Sequence, residues 1–476
     1  MNGRKAVVIG SGPNGLAAAV VWAKAGGKVS VFEAEEETGG GARTAEVTLP
    51  GFRHDVCSAV HALAAATSFF PALPLERYGL EWIHPPLALA HPFDDGSVAV
   101  LERSGEHTAE RLGEDEPNYR RLIAPVLKDW KIIEGEAFRP LHWPRHKLAL
   151  ARFGLRAMKP ARTLAEKVLT TAPARALFAG LAAHSMLPLE ERGSAAIGLI
   201  LAAAAHRGGW PIARGGSQAI SDALVAYVRE LGGEIITGQR IASLAELPPA
   251  EAIFCDVTPQ ALMTLAGARL PRGYAQKLQR FQPGPGVVKM DWALSAPIPW
   301  MAAECAAAGT LHLGGTLNEI SAAEGRACAR YRPQESEQPF VLLSQPSLFD
   351  FSRAPAGRHT AWAYCHVPNG WGGDSAVMAA RIEQQVERFA PGFARLILAR
   401  SVRGPRQLEQ HNANLIGGDI GGGRNSLGQL LCRPTRSGYA TPLKGVYLCS
   451  ASTPPGGGVH GLCGAQAARR AIEDLG

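Results

Sequence analysis

No pair of cysteines is spaced as CxxC, and none of the eight falls at a zinc-binding spacing. A redox disulfide of the disulfide-reductase kind is therefore excluded, together with a cysteine-built zinc site, and no metal is expected. Scattered cysteines of this sort belong to a reducing compartment, so a cytoplasmic location is expected. Long apolar runs are missing too. The longest, roughly Ala195 to Ala205, is too short to cross a bilayer. The first strand-like run starts almost at once, without the charged region, apolar core and cleavage site of a signal peptide. A G-x-S-x-G elbow, a Walker lysine and HExxH are all absent, which sets aside three hydrolytic chemistries. There is no recognised nucleic-acid motif, so no nucleic-acid partner is expected. Neither an internal repeat nor a low-complexity linker divides the chain. What remains is a 476-residue globular chain, long enough for two or more domains.

Glycine is what the sequence has, 54 of them, and their placement carries the information. Lys5 to Gly10 (KAVVIG) reads as a buried parallel strand. Gly10, Gly12 and Gly15 follow in the order G-S-G-P-N-G, with Pro13 and Asn14 between them, and then an Ala-rich helix over Leu16 to Lys24. Gly10 allows a tight turn, Gly12 lets backbone approach a pyrophosphate, and Gly15 lets helix meet strand. The helix N-terminus, with its free N–H groups, favours the anion. Val29, Val31 and Phe32 make the next strand, and Glu33 ends it, followed by Ala34. A carboxylate about 20 residues past the glycines suits a ribose and would repel a 2′-phosphate. A dinucleotide site is expected here, and NADP is disfavoured.

Gly39-Gly40-Gly41 and Arg43 come next, and this run resembles the second glycine motif of FAD-dependent oxidoreductases of the glutathione-reductase-like superfamily. The resemblance implies FAD, with the loop over its pyrophosphate and Arg43 holding it. Three further segments extend the likeness: Gly51 to His61 (GFRHDVCSAVH), Gly208 to Ile220 (GGWPIARGGSQAI) and Gly445 to Ala468 (GVYLCSASTPPGGGVHGLCGAQAA). Together they look like the phytoene desaturase-like branch of flavin oxidoreductases. Within it the chain is most similar to the group of the pyridine nucleotide-disulfide oxidoreductase domain-containing protein 2. The tail also reads directly as a strand to Ser450, a proline–glycine turn from Pro454 to Gly458, and a helix from Gly461 to Ile472. In the family this helix points at the flavin, which places Ser450, Gly458, Val459 and His460 beside it. Many relatives have Gly in place of Ser450 and His in place of Pro454, and amine-oxidase relatives carry an acid near Ala451. Contacts to the ribityl chain should differ accordingly.

The same likeness implies an α/β chain: a glutathione-reductase-like FAD-binding Rossmann domain interleaved with an α+β substrate-binding domain. FAD-binding parts are expected at 1–70, 210–270 and 406–476, and substrate parts at 71–209 and 271–405. In the middle return Ser217 is a plausible N-cap for a helix to Leu231. Glu234 to Thr237 and Ala252 to Val257 read as strands, the pattern continuing through Arg240-Ile241, and backbone near Ile241 meets adenine in the family. The candidates for proton transfer, by position in the family's motifs, are His61, His460 and Asp55, with His54 behind them. Asp419, in the glycine cluster 417–421, could meet substrate. Cys449 and His460 lack a motif for a covalent flavin link, so FAD is expected to be held without one.

The leading expectation is dehydrogenation of a mainly apolar substrate to a C=C bond by hydride transfer to flavin. An amine oxidase-like enzyme, with an aromatic cage drawn from Trp210, Trp300, Trp362 and Trp371, is an alternative. A flavin-dependent isomerase or saturase and a non-catalytic binding module are others. No second strand–GxGxxG–helix unit is found, so electrons should leave to oxygen, a quinone or another acceptor. One stretch stands apart: 139–175 holds nine Lys or Arg and one acid, Glu166, interleaved with Trp143, Leu148, Phe153, Leu155 and Met158. A basic amphipathic stretch can lie on an anionic membrane surface, or be a solvated helical face over a buried stripe.

Overall fold

The computed structural model describes residue 1 and residues 3–476. Lys5–Ile9 is buried at every position but its first, as a strand covered on both faces requires. It lies at the centre of a five-stranded parallel sheet, ordered Val446–Leu448, Ala252–Cys255, Lys5–Ile9, Lys28–Phe32, Glu234–Ile236. These strands come from three separate stretches of chain. One face packs the helices Pro13–Lys24, Gln218–Glu230 and Leu462–Leu475 in the largest core. The other is closed by Pro259–Ala266 and Arg272–Gln279 over Val7, Ile9, Cys255 and Leu448.

A seven-stranded mixed sheet forms the second layer system, ordered Ile397–Arg403, Gly286–Leu294, His359–Val367, Val341–Ser344, Ala308–Leu313, Leu87–Pro92, Val98–Leu101. All its pairs are antiparallel except Ala308–Leu313 with Leu87–Pro92. Gly286–Leu294 is buried throughout, whereas Ile397–Arg403 at the edge has no fully buried residue and exposes Leu398 and Arg400. Beneath the sheet the helix Ser375–Phe389 covers Met290, Trp292 and Phe393. Above the cavity lie Ala172–Ala183 and Ser194–Gly208, two helices packed on each other and rich enough in Ala to approach closely.

Several local expectations shift. The first helix begins at Pro13 rather than Leu16, since Pro at a first helical position has no N–H to lose. Ser217 does not cap its helix: its hydroxyl donates to the Ser58 carbonyl instead, and the helix runs Gln218–Glu230. The strands stop at Ile236 and Cys255, and Ile241 is a buried residue of irregular chain. No helix among the described residues is long and apolar enough to cross a membrane.

Candidate functional site

A single cavity of about 800 Å³ runs from the C-terminal ends of the parallel strands to the space between the mixed sheet and the Ser194–Gly208 helix. At its first end backbone does the shaping. Gly10, Gly12, Pro13, Asn14, Glu33, Ala34, Gly40, Gly41, Arg43, Ile241, Ser450, Gly458 and Val459 all border it. A Cβ on Gly12 would stand 2.8 Å from Asp256 Oδ2, and one on Gly40 3.2 Å from Gly12 Cα, so the walls are stripped where a ligand must come close. Gly15 lies behind the wall, where a Cβ would be 2.0 Å from the Gly10 carbonyl oxygen. Glu33 accepts from the Ser11 N–H (2.8 Å) and hydroxyl (2.6 Å) while still bordering the cavity. Buried Asn14 Oδ1 and Arg43 Nε have no partner among the described residues. A glycine cradle at a helix N-terminus, a carboxylate at the second strand and two unpaired polar atoms suit a dinucleotide.

The far end is built from side chains. Leu63, Met186, Ile197, Ile200, Leu201 and Leu342 wall it, with Trp210, Trp362 and Tyr364. Trp362 and Tyr364 stand edge to face, 5.2 Å between ring centroids at 76°. Among the described residues the one carboxylate in this chamber is Asp419, and it accepts the N–H groups of Gly284, Gly421 and Gly423, each at 2.7 Å.

The family model of an NAD(P)-binding Rossmann-like domain matches residues 8–71, the strand–glycine–helix unit. Over 99% of this chain and 93% of its own length, the mouse (Mus musculus) pyridine nucleotide-disulfide oxidoreductase domain-containing protein 2 is 26% identical. One of the limonene dehydrogenase subunits of Castellaniella defragrans is 30% identical over 28% of this chain and 24% of its own. Among solved structures, putrescine oxidase with bound putrescine superposes with a TM-score of 0.62 at 17% identity, covering 99% of this chain and 98% of that one. The chain is an FAD-dependent oxidoreductase.

In this flavoenzyme, bound FAD supplies the redox chemistry, and the residues of the first end are those that would hold it. Glu33 would take the ribose hydroxyls and the Pro13–Lys24 helix N-terminus the pyrophosphate, with Arg43 beside it. Arg43 Nη2 also meets His411 Nε2 at 3.0 Å. Burial, then the Arg43 charge, lowers His411 to about 4, so it stays neutral there.

The proton-transfer candidates separate. His61 borders the cavity, its Nε2 3.1 Å from Ser217 Oγ. That hydroxyl already gives its proton to Ser58, so His61 Nε2 donates and Nδ1 keeps a free lone pair. Burial lowers its pKa to about 4, leaving it neutral at pH 7. His460 is not brought to the cavity. Its Nδ1 accepts the Leu462 N–H (3.0 Å) and its Nε2 faces the Gly456 carbonyl (3.2 Å), which makes it a brace for the last helix. Asp55 is likewise behind the wall, paired with Arg353 at 2.5 Å and accepting from Ser217 N and Thr44 Oγ1. Burial would raise its pKa, but the Arg353 charge and these hydrogen bonds outweigh it and hold it below the usual carboxylate range. His54 is buried 3.7 Å from Asp291 and does not reach the cavity. Of the four tryptophans, Trp210 and Trp362 line the chamber, whereas Trp300 and Trp371 bond Gln345 and Glu335 elsewhere. Cys449 is fully buried outside the lining.

Sequence reasoning missed several residues. Asp256, at the end of Ala252–Cys255, accepts the Gly15 N–H at 2.9 Å beside the glycine cradle. Burial raises its pKa to about 7, the Gly15 bond opposing and the Glu33 charge adding to the rise. Its signal was an acid directly after an apolar strand, the same signal that marked Glu33. Asn412 and Asn414 border the cleft from a loop with no motif. Lys289 and Asp291 form a buried pair in Gly286–Leu294, with Lys289 Nζ 5.6 Å from the Trp362 ring centre. Glu324, Cys328 and His366 come together in the core, where Glu324 already hydrogen-bonds both of the others.

Proposed function

We propose that the flavoenzyme dehydrogenates a mainly apolar substrate to a C=C bond, with bound FAD as hydride acceptor. The observation that carries this is the chamber wall: mainly aliphatic and aromatic side chains, in which the one carboxylate among the described residues, Asp419, already accepts three backbone N–H groups. An ammonium substrate would find only Asp419 to pair with, a carboxyl whose pKa burial pushes up and whose oxygens are already engaged by backbone, against a desolvation cost of several kcal/mol. His61, neutral and with a free Nδ1, is the residue suited to take the second proton. Electrons would then pass to oxygen or a quinone. The partial likeness to a limonene dehydrogenase accords with an apolar substrate. Mixed without oxygen with limonene or a longer polyene, the FAD-loaded enzyme should lose its flavin band near about 450 nm. Bleaching by putrescine or cyclohexylamine alone would overturn the reading in favour of amine oxidation.

The outer surface supports an origin for such a substrate. In the basic stretch 139–175, Leu141, Trp143, Leu148 and Leu155 are 63%, 80%, 87% and 68% exposed. The helix at its centre, Lys147–Ala157, packs on Ser194–Gly208, whose Ile197, Ile200 and Leu201 wall the chamber. Exposed apolar side chains among cations fit an anionic bilayer, into whose interface Trp143 and the leucines would insert while Lys and Arg meet headgroups. The protein should float with vesicles containing phosphatidylglycerol and not with pure phosphatidylcholine, and Trp143→Glu with Leu148→Glu should abolish this. Self-association of the wild type without vesicle binding would instead assign the face to a second copy.

A further inference from the structure

At the chamber's far end three side chains stand together. His184 follows the Ala172–Ala183 helix, Trp210 follows Ser194–Gly208, and Thr310 lies on Ala308–Leu313. The His184 and Trp210 ring centres are 5.9 Å apart at 82°. Trp210 and Thr310 are only 4% and 5% exposed, yet Trp210 Nε1 and Thr310 Oγ1 have no partner among the described residues. A buried N–H or hydroxyl left unpaired costs about 1–3 kcal/mol, so such groups beside a cavity point to a ligand atom that pairs them.

Behind them His312, two residues along the strand from Thr310, fixes His184. The two Nε2 atoms are 3.0 Å apart, so one of them carries a proton and the other accepts it. His312 Nδ1 is buried without a partner against Gly180, too close for even a Cβ to be added there. An orphaned acceptor there is less costly than an orphaned N–H. The network thus puts the His312 proton on Nε2, donated to His184 Nε2, and leaves the His184 proton on Nδ1, which meets no partner among the described residues. Burial lowers His184 to about 3 and His312 well below its ordinary value, so both rings are neutral. The set therefore offers two N–H donors and a hydroxyl, with no formal charge.

We propose that Trp210, Thr310 and the His312-oriented His184 form a subsite for an uncharged oxygen, a carbonyl above all, at one end of an otherwise apolar substrate. The inference rests on the apolar-substrate reading and narrows it from hydrocarbons to oxygen-bearing ones. A carboxylate is disfavoured, because three neutral groups supply no counter-charge in a dry site. His312 acts through His184 and is a positioning residue.

The test is binding, not turnover. The oxidised FAD-loaded enzyme is titrated with 2-decanone, 1-decene and decanoate, read by perturbation of the flavin absorbance. The ketone should bind about tenfold tighter than the alkene, the worth of one well-made hydrogen bond, and decanoate no tighter than the alkene. In His184→Leu and in Thr310→Val, each checked for retained FAD, the ketone preference should fall toward one. In His312→Phe it should fall as well, although that residue does not meet the ligand. Equal binding of ketone and alkene by the wild type, or a preference that survives His184→Leu, overturns the subsite while leaving the apolar reading intact. Failure of both neutral ligands to bind overturns the apolar reading and this inference with it.

Discussion

The two ends of the cavity are made by opposite means. At the cofactor end the chain withdraws its side chains: Gly12, Gly40, Gly41 and Gly458 expose backbone, and specificity comes from a helix N-terminus and a few charged or polar groups. At the substrate end most of the wall is side chain, contributed by segments as distant in sequence as Leu63, Met186 and Leu342. At Gly12 and Gly40 the first design leaves little room for an added atom, which would meet Asp256 Oδ2 at 2.8 Å or the Gly12 Cα at 3.2 Å. The second can absorb substitution, because aliphatic neighbours repack. This difference explains why a cofactor end can be shared widely while a chamber is remade for each substrate.

The contrast can be broken by three experiments. Gly15→Ala puts a Cβ 2.0 Å from the Gly10 carbonyl oxygen, and neither backbone can yield without separating helix from strand. A loss of roughly 3 kcal/mol in urea unfolding and purification without FAD are expected, at the upper end of the overpacking range. Ile200→Ala, at the chamber wall and 6% exposed, should cost about 2 kcal/mol, retain full FAD and shift preference toward bulkier substrates. If that variant also lost FAD, the two ends would not be separable.

The smallest effect sharpens the cofactor end. Asp256 has its folded pKa raised to about 7 by burial. Between its ordinary value and about 7 the folded apo-protein therefore holds a proton that the unfolded chain has released. Its contribution to stability falls as pH rises through that window and is level above it. A bound pyrophosphate favours the protonated carboxyl further, so FAD affinity should drop about tenfold from pH 6 to 8, of the order of one pKa unit of coupling. Asp256→Asn keeps an acceptor for Gly15 and should bind FAD with little pH dependence, as followed by flavin fluorescence quenching. A wild type whose affinity does not change with pH would place Asp256 outside the pyrophosphate's field.

How legible each part was follows from the same physics. Most residues singled out for the cofactor end border the cavity, because a strand, three glycines and a helix lie within twenty-odd positions and their spacing is the geometry. Arg43, Ile241 and the tail glycines were reached through resemblance, and they too border the cavity. Asp55 and His460 show where position in a motif misleads. Both sit beside site segments, but one is taken by Arg353 and the other braces a helix N-terminus. The choice between facing a cavity and facing a partner depends on a side chain some 300 residues away for Asp55, a distance at which spacing carries no signal.

By itself the sequence determined the strand–glycine–helix unit and the basic apolar stretch, because each is encoded in a short pattern of neighbouring residues, and through resemblance it pointed to FAD. Only the tertiary structure decided which histidine meets the cavity, that Asp256 stands at the cradle, and that His184, His312, Trp210 and Thr310 converge. Those depend on long-range packing, in which two sheets and a helical layer bring unrelated segments within hydrogen-bonding reach and leave certain polar atoms without a partner.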